Sequence, residues 1–336
     1  MKKLLIANRG EIAIRIAHTA ALFGLETVAV YSADDSASLH VRRCEAAVEL
    51  PGVGAAAYLN ADAVIAAAVT KGCDALHPGY GFLSESAAFA TGCAAAGLTF
   101  VGPPPDALLV FGDKARARAL AASCDVPVPA GVSGSTTLAE AEAFFDALGP
   151  GAAVMLKAVA GGGGRGMRPV ISRSELAAAY ERCRSEAQQA FGSGELYIEQ
   201  LLRGARHVEV QVLADGQGGA VHLWDRECSL QRQRQKIVEI APAVGIAPKV
   251  REALAAAAVR LALAADYRGV GTVEFLVTGD SFAFIEANAR LQVEHTVTEA
   301  VTGLDLVRLQ LEIASGRSLA DLGLTHEALY RSLARM

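Results

Sequence analysis

The sequence has no run of about 18 to 20 residues free of charged or strongly polar side chains, the length a membrane-spanning helix needs. Its mean hydropathy is positive, but alanine supplies most of the excess. The apolar start Leu4-Leu5-Ile6 is cut short by Asn8-Arg9-Gly10-Glu11, too soon for a signal-peptide core. A cytoplasmic location and no membrane partner are therefore expected. Cysteine is sparse and scattered. Cys44, Cys73, Cys93, Cys124, Cys183 and Cys228 form no Cys-x-x-Cys pair, so zinc spacing is absent and six reduced thiols are expected. Basic residues are not in excess: 31 Lys and Arg face 36 Asp and Glu, for a net −5. That balance disfavours a general nucleic-acid binder. Two nucleotide fingerprints are also missing. The first strand turn, Asn8-Arg9-Gly10, carries one glycine, which argues against a nicotinamide enzyme, and no glycine loop ends in the Walker A Gly-Lys-Ser/Thr.

What is present is a folded chain of 336 residues, 52% apolar and 20% charged. At about 150 residues per domain it holds two or three domains. Residues 1 to 112 alternate strand and helix: strands at Lys3–Ala7, Glu26–Tyr31, Asp74–His77 and Leu98–Val101, helices at Glu11–Phe23, Ala61–Thr70 and Glu85–Ala96. Such alternation with short connections predicts a parallel, Rossmann-like sheet covered by helices on both faces. Gly102-Pro103-Pro104-Pro105 and Val126–Pro129 read as linkers. Residues 130 to about 200 form a compact α+β pattern, and strands dominate after 205.

Two segments carry chemistry. Gly161–Gly164, Arg165 and Gly166 lie between strands Ala153–Ala160 and Met167–Ile171. A strand follows rather than a helix, so this is not a dinucleotide turn. Without a Cβ in the way, its amides can wrap a phosphate chain; the plainer alternative is a hairpin without ligand. Lys157 stands on the strand leading in. The second segment is a predicted hairpin, Gly271–Thr278 and Phe282–Leu291, with a three-residue turn Gly279-Asp280-Ser281. That register makes one face apolar and sets Glu274 beside Glu286, with Asn288 and Arg290 further along. Paired carboxylates repel unless a divalent cation lies between them, and two carboxylates plus an amide oxygen suit Mg²⁺ or Mn²⁺. Gln292 and Glu294 continue the alternation; Arg290 is a fork for a small anion, and Glu294 a candidate base. Arg232, Arg234 and Lys236 also alternate, predicting one basic strand face; nucleic acid is one reading of it and a polyanionic small molecule the other, and the net charge of −5 with the nearby carboxylates favours the second.

At these residues the chain closely resembles the biotin carboxylase component of biotin-dependent carboxylases, within the ATP-grasp superfamily. The matching stretches are Ile6–Ala13, His77–Glu85, Gly112-Asp113-Lys114, Gly161–Met167, Arg206–Glu209, Asp225–Arg232 and Phe284–His295, and the resemblance covers about residues 2 to 320. Leu230–Pro242 looks like the variety found in fused acyl-CoA or pyruvate-type carboxylases. The implied fold is α/β: a Rossmann-like N-terminal domain (1–112), then an ATP-grasp domain (113–316, lid about 130–203), then an incomplete last lobe (317–336). The implied reaction is ATP-dependent carboxylation of biotin by bicarbonate through carboxyphosphate. The resemblance places Lys114, Lys157, Gly163, Gly164, Glu199, Gln200, Leu201, Leu202, His207, Gln231 and Arg234 on ATP. It places Glu274, Glu286 and Asn288 on the metal, and Lys236, Arg290 and Val293 on bicarbonate, with Glu294 as the base. Tyr80 and Gly81 would border biotin. Implied partners are a biotin carboxyl carrier domain and a carboxyltransferase domain or subunit, and a homodimer is compatible.

Two departures stand out. Gln233-Arg234-Gln235 precedes Lys236 where the family more usually has Arg-His/Asn-Gln, so Arg234 replaces a nucleotide-contacting histidine. The chain is also expected to stop short of the family's length, without the late arginine that steadies the biotin enolate. Two other readings therefore remain: an ATP- and Mg²⁺-binding fragment that does not carboxylate biotin, and an ATP-grasp ligase of the carbamoyl-phosphate type. The His77–Glu85 match favours biotin over the latter.

Overall fold

The computed structural model describes residues 1–132, 134–159, 166–233 and 235–325. Strands β1 (Lys3–Ile6), β2 (Glu26–Tyr31), β3 (Ala46–Glu49), β4 (Ala75–His77) and β5 (Thr99–Phe100) form one parallel sheet in the order β3-β2-β1-β4-β5. Helix α1 (Gly10–Leu22) packs on one face through Ile12 and Ile16, against Leu4 and Ile6. Helices α2 (Gly54–Tyr58), α3 (Ala61–Thr70) and α4 (Ala87–Ala95) cover the other face, over Leu5, Val28 and Leu76. Asn60 and Ser86 cap α3 and α4 by accepting the Ala63 and Phe89 amides. The expected parallel sheet with helices on both faces is what the chain builds.

Helix α5 (Pro105–Gly112) starts at the last residue of the first predicted linker, where its proline sits at the helix start and no amide is needed. Asp113 then caps α6 (Lys114–Ser123). Helix α7 (Leu138–Ala147), strands β6 (Val154–Ala158) and β7 (Met167–Val170), helix α8 (Leu176–Phe191) and strand β8 (Leu196–Gln200) make a small unit with its own core. Its antiparallel sheet runs β7-β6-β8. Strands β9 (Arg206–Asp215), β10 (Ala220–Arg232) and β11 (Gln235–Ile240), helix α9 (Pro248–Ala264), and strands β12 (Arg268–Thr278) and β13 (Ser281–Asn288) follow. They form an antiparallel sheet ordered β11-β10-β9-β12-β13, backed by α9. Helices α10 (His295–Thr302) and α11 (Leu306–Ala314) close the described chain. Leu213 and Leu223 of this sheet, with Leu306 and Leu311 of α11, share one core with α1 and β1. No helix among the described residues is long and apolar enough to cross a membrane.

Three local expectations are corrected. The β12–β13 turn has two residues, Gly279-Asp280, since Thr278 pairs with Ser281. A bulge at Ile285 adds the missing residue: Phe275 pairs with Phe284, yet Glu274 still pairs with Glu286. The apolar face of β13 is therefore Phe282, Phe284 and Ala287, not Ala283, Ile285 and Ala287. Strand β13 also ends at Asn288, so Arg290, Gln292 and Glu294 lie in a loop leading to α10 rather than on a continued strand face. Finally, Arg232 and Lys236 are not on one strand. Arg232 ends β10 and pairs with Gln235 across a hairpin, and Lys236 is on β11. The expected single basic face is not formed: Lys236 shares a face with its partner Gln231, and Arg232 with its partner Gln235 on the other, because Gln233 adopts a left-handed φ of 51° that turns the chain. Gly163, Gly164, the rest of the loop 161–165, and Arg234 lie outside the described residues.

Candidate active site

The large antiparallel sheet lines up its charged residues in one row. Arg226, Glu209, Glu274 and Glu286 are successive cross-strand partners on β10, β9, β12 and β13. Three adjacent carboxylates would repel strongly at this depth. Cations arriving from other elements compensate them. Lys236 Nζ reaches from β11 to Glu209, to Glu274 at 2.9 Å and to Glu294 at 2.7 Å. Glu209 is fully buried, and Glu274 and Glu294 nearly so. Burial alone would pull the lysine down, but the three carboxylates outweigh it and hold its ammonium well above the ordinary lysine range. Likewise burial raises the Glu294 carboxyl, yet Lys236 brings it below its ordinary value. Glu274 is lowered in the same way, against burial, by His207 and Lys236.

His207 lies with Nε2 2.7 Å from Glu274, while its Nδ1 is 2.8 Å from Gln231 Nε2. Burial lowers the imidazole, and Glu274 more than offsets this, so its net shift is upward. Asn288 and Gln292 also donate to Glu274, at 2.8 and 3.2 Å. Glu286 differs from its neighbour: burial and the charge of Glu274 push its carboxyl up. Lys114, the first residue of α6, and Lys157, on β6, oppose that push by their charge. Thus the two lysines expected at the phosphates and the acids expected at the metal share one electrostatic environment. Lys157 is ion-paired to Glu199, which Arg118 also holds at 3.3 Å. Gln200, Leu201 and Leu202 line a cavity of about 460 Å³ together with Leu276 and Phe282.

Arg290 turns toward the N-terminal sheet. Its Nε donates to Glu85 at 2.8 Å, and an Nη donates to Asn288 Oδ1 at 2.9 Å. Val293 is exposed beside it. Glu85 ends the loop that carries Tyr80 and Gly81, so Arg290 links the anion-candidate loop to the biotin-candidate loop. That second loop is fixed from β1, where Asn8 Nδ2 donates to the carbonyls of Pro78 (2.7 Å) and Tyr80 (2.8 Å). Gly79 is required there: its φ is 64°, and a Cβ would stand 2.8 Å from Asn8 Nδ2. Sequence reasoning assigned no role to Glu209 or Arg226. The signal was available, since Glu209 and Gln211 interrupt an apolar strand at period two.

A family model described as the biotin carboxylase N-terminal domain matches residues 1–108, and one described as the ATP-binding domain of the carbamoyl-phosphate synthase L chain matches residues 113–322. A solved biotin carboxylase from Campylobacter jejuni, in a β,γ-ATP complex, superimposes with a TM-score of 0.91 at 41% identity, over 95% of this chain and 72% of that one. The chain belongs to the biotin carboxylase family. The 2-oxoglutarate carboxylase biotin carboxylase domain of Hydrogenobacter thermophilus, a dimer solved with MgADP, ADP and bicarbonate, gives a TM-score of 0.90 at 41% identity, covering 95% and 70%. Pyruvate carboxylase of Staphylococcus aureus is 48% identical over 321 residues, which are 95% of this chain and 28% of that protein. The biotin carboxylase fold, a parallel N-terminal domain followed by an ATP-grasp unit, is thereby established. It spans 28% of the length of the pyruvate carboxylases it matches.

Glu286 yields a prediction with two signs. Its carboxyl is held above the ordinary range, so folding is weakened as pH rises through that raised value. Glu286→Gln should therefore stabilise the ligand-free protein by about 1 kcal/mol at pH 7.5 and reduce Mg-ATP turnover by about a hundredfold. Urea melts and ADP release check both. A variant that is less stable without ligand would show that Glu286 is not repelled.

Proposed function

We propose that this chain catalyses ATP-dependent carboxylation of biotin, presented on a carrier domain, by bicarbonate through carboxyphosphate. In this reading it performs the first half-reaction of an acyl-CoA or pyruvate-type carboxylase, with a carboxyltransferase as the second partner. The observation that carries the reading is Lys236 held among Glu209, Glu274 and Glu294, with the Arg290 fork on the next loop. Lys236 and Arg290 are the cations for bicarbonate, beside the exposed Val293, and Glu294 takes its proton. Lys114 and Lys157 neutralise the transferring phosphoryl group, and Gly163, Gly164 and Arg234 are assigned to the nucleotide in the same reading. Glu199, Gln200, Leu201 and Leu202 border the base of the nucleotide, and His207 and Gln231 its sugar. Tyr80 and Gly81 edge the biotin path.

Glu274, Glu286 and Asn288 fit a hard divalent cation, Mg²⁺ or Mn²⁺. Their oxygens are the right donors, and the repulsion that raises Glu286 is what such an ion removes. When bound, the ion would screen phosphate charge. The experiment is ADP release from Mg-ATP with and without bicarbonate, then with free biotin. Turnover that needs bicarbonate and rises with biotin is expected. Ordinary ATP affinity with no response to either would overturn the reading in favour of a nucleotide-binding fragment.

A further inference from the structure

Arg226 is the largest side chain that is completely buried in the described chain, and none of its nitrogens is left unbonded. Its Nε donates to Glu209 at 2.6 Å. One Nη donates to Gln211 and Thr298, each at 2.7 Å. The other donates to Gln292 at 3.1 Å and Thr272 at 3.3 Å. These partners come from β9, β12, α10 and the loop between β13 and α10. Two of them touch the proposed chemistry directly. Glu209 holds Lys236, and Gln292 sits between Arg290 and Glu294 while donating to Glu274.

The strand is distorted where it must deliver this arginine. Val221 and Leu223 of β10 face the core shared with α1 and α11. Strict alternation would send Asp225 to that face and Arg226 away from it. Instead the ladder slips: His222 pairs with Val212 and Asp225 with Val210, so Leu223 and Trp224 together oppose Gln211. Trp224, the only tryptophan, takes a left-handed φ of 68°. The slip sends Asp225 to the face covered by α9, where Arg251 of that helix holds it at 3.1 Å, and turns Arg226 to the opposite face, onto Glu209. A bulky residue at positive φ is strained, and bulges beside active sites commonly re-aim a side chain.

We infer that Arg226 is a positioning residue for bicarbonate chemistry, aimed by the Trp224 bulge to fix Glu209 under Lys236 and Gln292 between Arg290 and Glu294. It does not touch substrate; it sets where the anion-binding groups stand. The inference rests on the carboxylation reading above. The test is Arg226→Lys in the full 336-residue chain. Lysine keeps the charge but cannot span five acceptors with a planar fork. The bicarbonate KM should rise at least about tenfold and kcat fall about tenfold, while the ATP KM stays within about twofold. A purely structural arginine would lower the melting temperature without that split between the substrates, and such a result would overturn the inference. If the variant does not fold, Thr298→Val removes one acceptor and keeps Arg226; it should raise the bicarbonate KM about threefold, and an unchanged value would also overturn it. Wild-type protein assayed in parallel separates the two failures. Absent bicarbonate dependence in the wild type refutes the carboxylation reading and this inference with it, whereas dependence that the variant retains unaltered refutes the inference alone.

Discussion

Lys236→Met should abolish bicarbonate-dependent turnover, by at least about a thousandfold, and destabilise the fold by about 3 to 5 kcal/mol. The stability loss follows from what remains. Glu209, Glu274 and Glu294 would stay in place, buried, with their shared cation gone. Arg226 and His207 would still partner Glu209 and Glu274, but Glu294 would keep no ion pair among the described residues. The pH dependence has a definite sign. Lys236 is raised in the fold, so its contribution is complete below the ordinary lysine value of about 10.4 and fades as pH rises through the raised one. Glu274 and Glu294 are lowered, so theirs is present above the ordinary glutamate value of about 4.3 and fades as pH falls through the lowered ones. The deficit of the variant should thus be constant between about pH 5.5 and 9.5 and shrink outside that window. Urea melts across pH measure it; a deficit below about 1 kcal/mol at pH 7.5 would show the cage to be a surface-like pairing.

Glu294→Gln should act on rate rather than on folding. Glutamine preserves an oxygen for Lys236 and the size of the side chain, so the loop and the start of α10 stay in place. It cannot accept a proton. The kcat for bicarbonate-dependent ADP release should fall by about a hundred- to ten-thousandfold, with the ATP KM within about twofold. Because Lys236 keeps the Glu294 carboxyl below its ordinary value, this group should put no inflection into the wild-type profile between about pH 6 and 8. A variant retaining more than about a tenth of the wild-type kcat would remove Glu294 from the role of base.

The N-terminal sheet was legible because its strands and helices obey two clean periods, and its caps, Asn60 and Ser86, are ordinary ones. The short strand β3 was not, since Ala46–Glu49 has neither alternation nor a long apolar run. In the active-site sheet the pairing of Glu274 with Glu286 was readable, but the turn that produces it was not. Two compensating irregularities, a shorter turn and a bulge at Ile285, give the same register as the single regular loop that the pattern suggested. The residues after Asn288 misled for a related reason: alternation in the sequence persists where the strand has ended. Glu209 and Arg226 carry no local signature of a particular role. Their significance lies in contacts over 27 and 72 positions of sequence, from Glu209 to Lys236 and from Arg226 to Thr298, which no local pattern encodes.

The helix that begins beside Glu294 is fastened to the other end of the chain. Arg15 of α1 donates to Glu299 at 2.9 Å and to Asp305 at 2.7 Å, and Thr19 adds a hydrogen bond to Asp305. The same helix buries Ile12 and Ile16 against a core that includes Leu213, Leu223 and Leu306. Two segments separable as family matches are therefore inseparable as a cooperative unit. Cutting between them would expose an apolar seam and leave the Arg15 partners unsatisfied, so neither half is a natural object for dissection. The N-terminal sheet supplies more than the loop proposed to face biotin: it is the foundation against which the helix that starts beside the proposed base keeps its place.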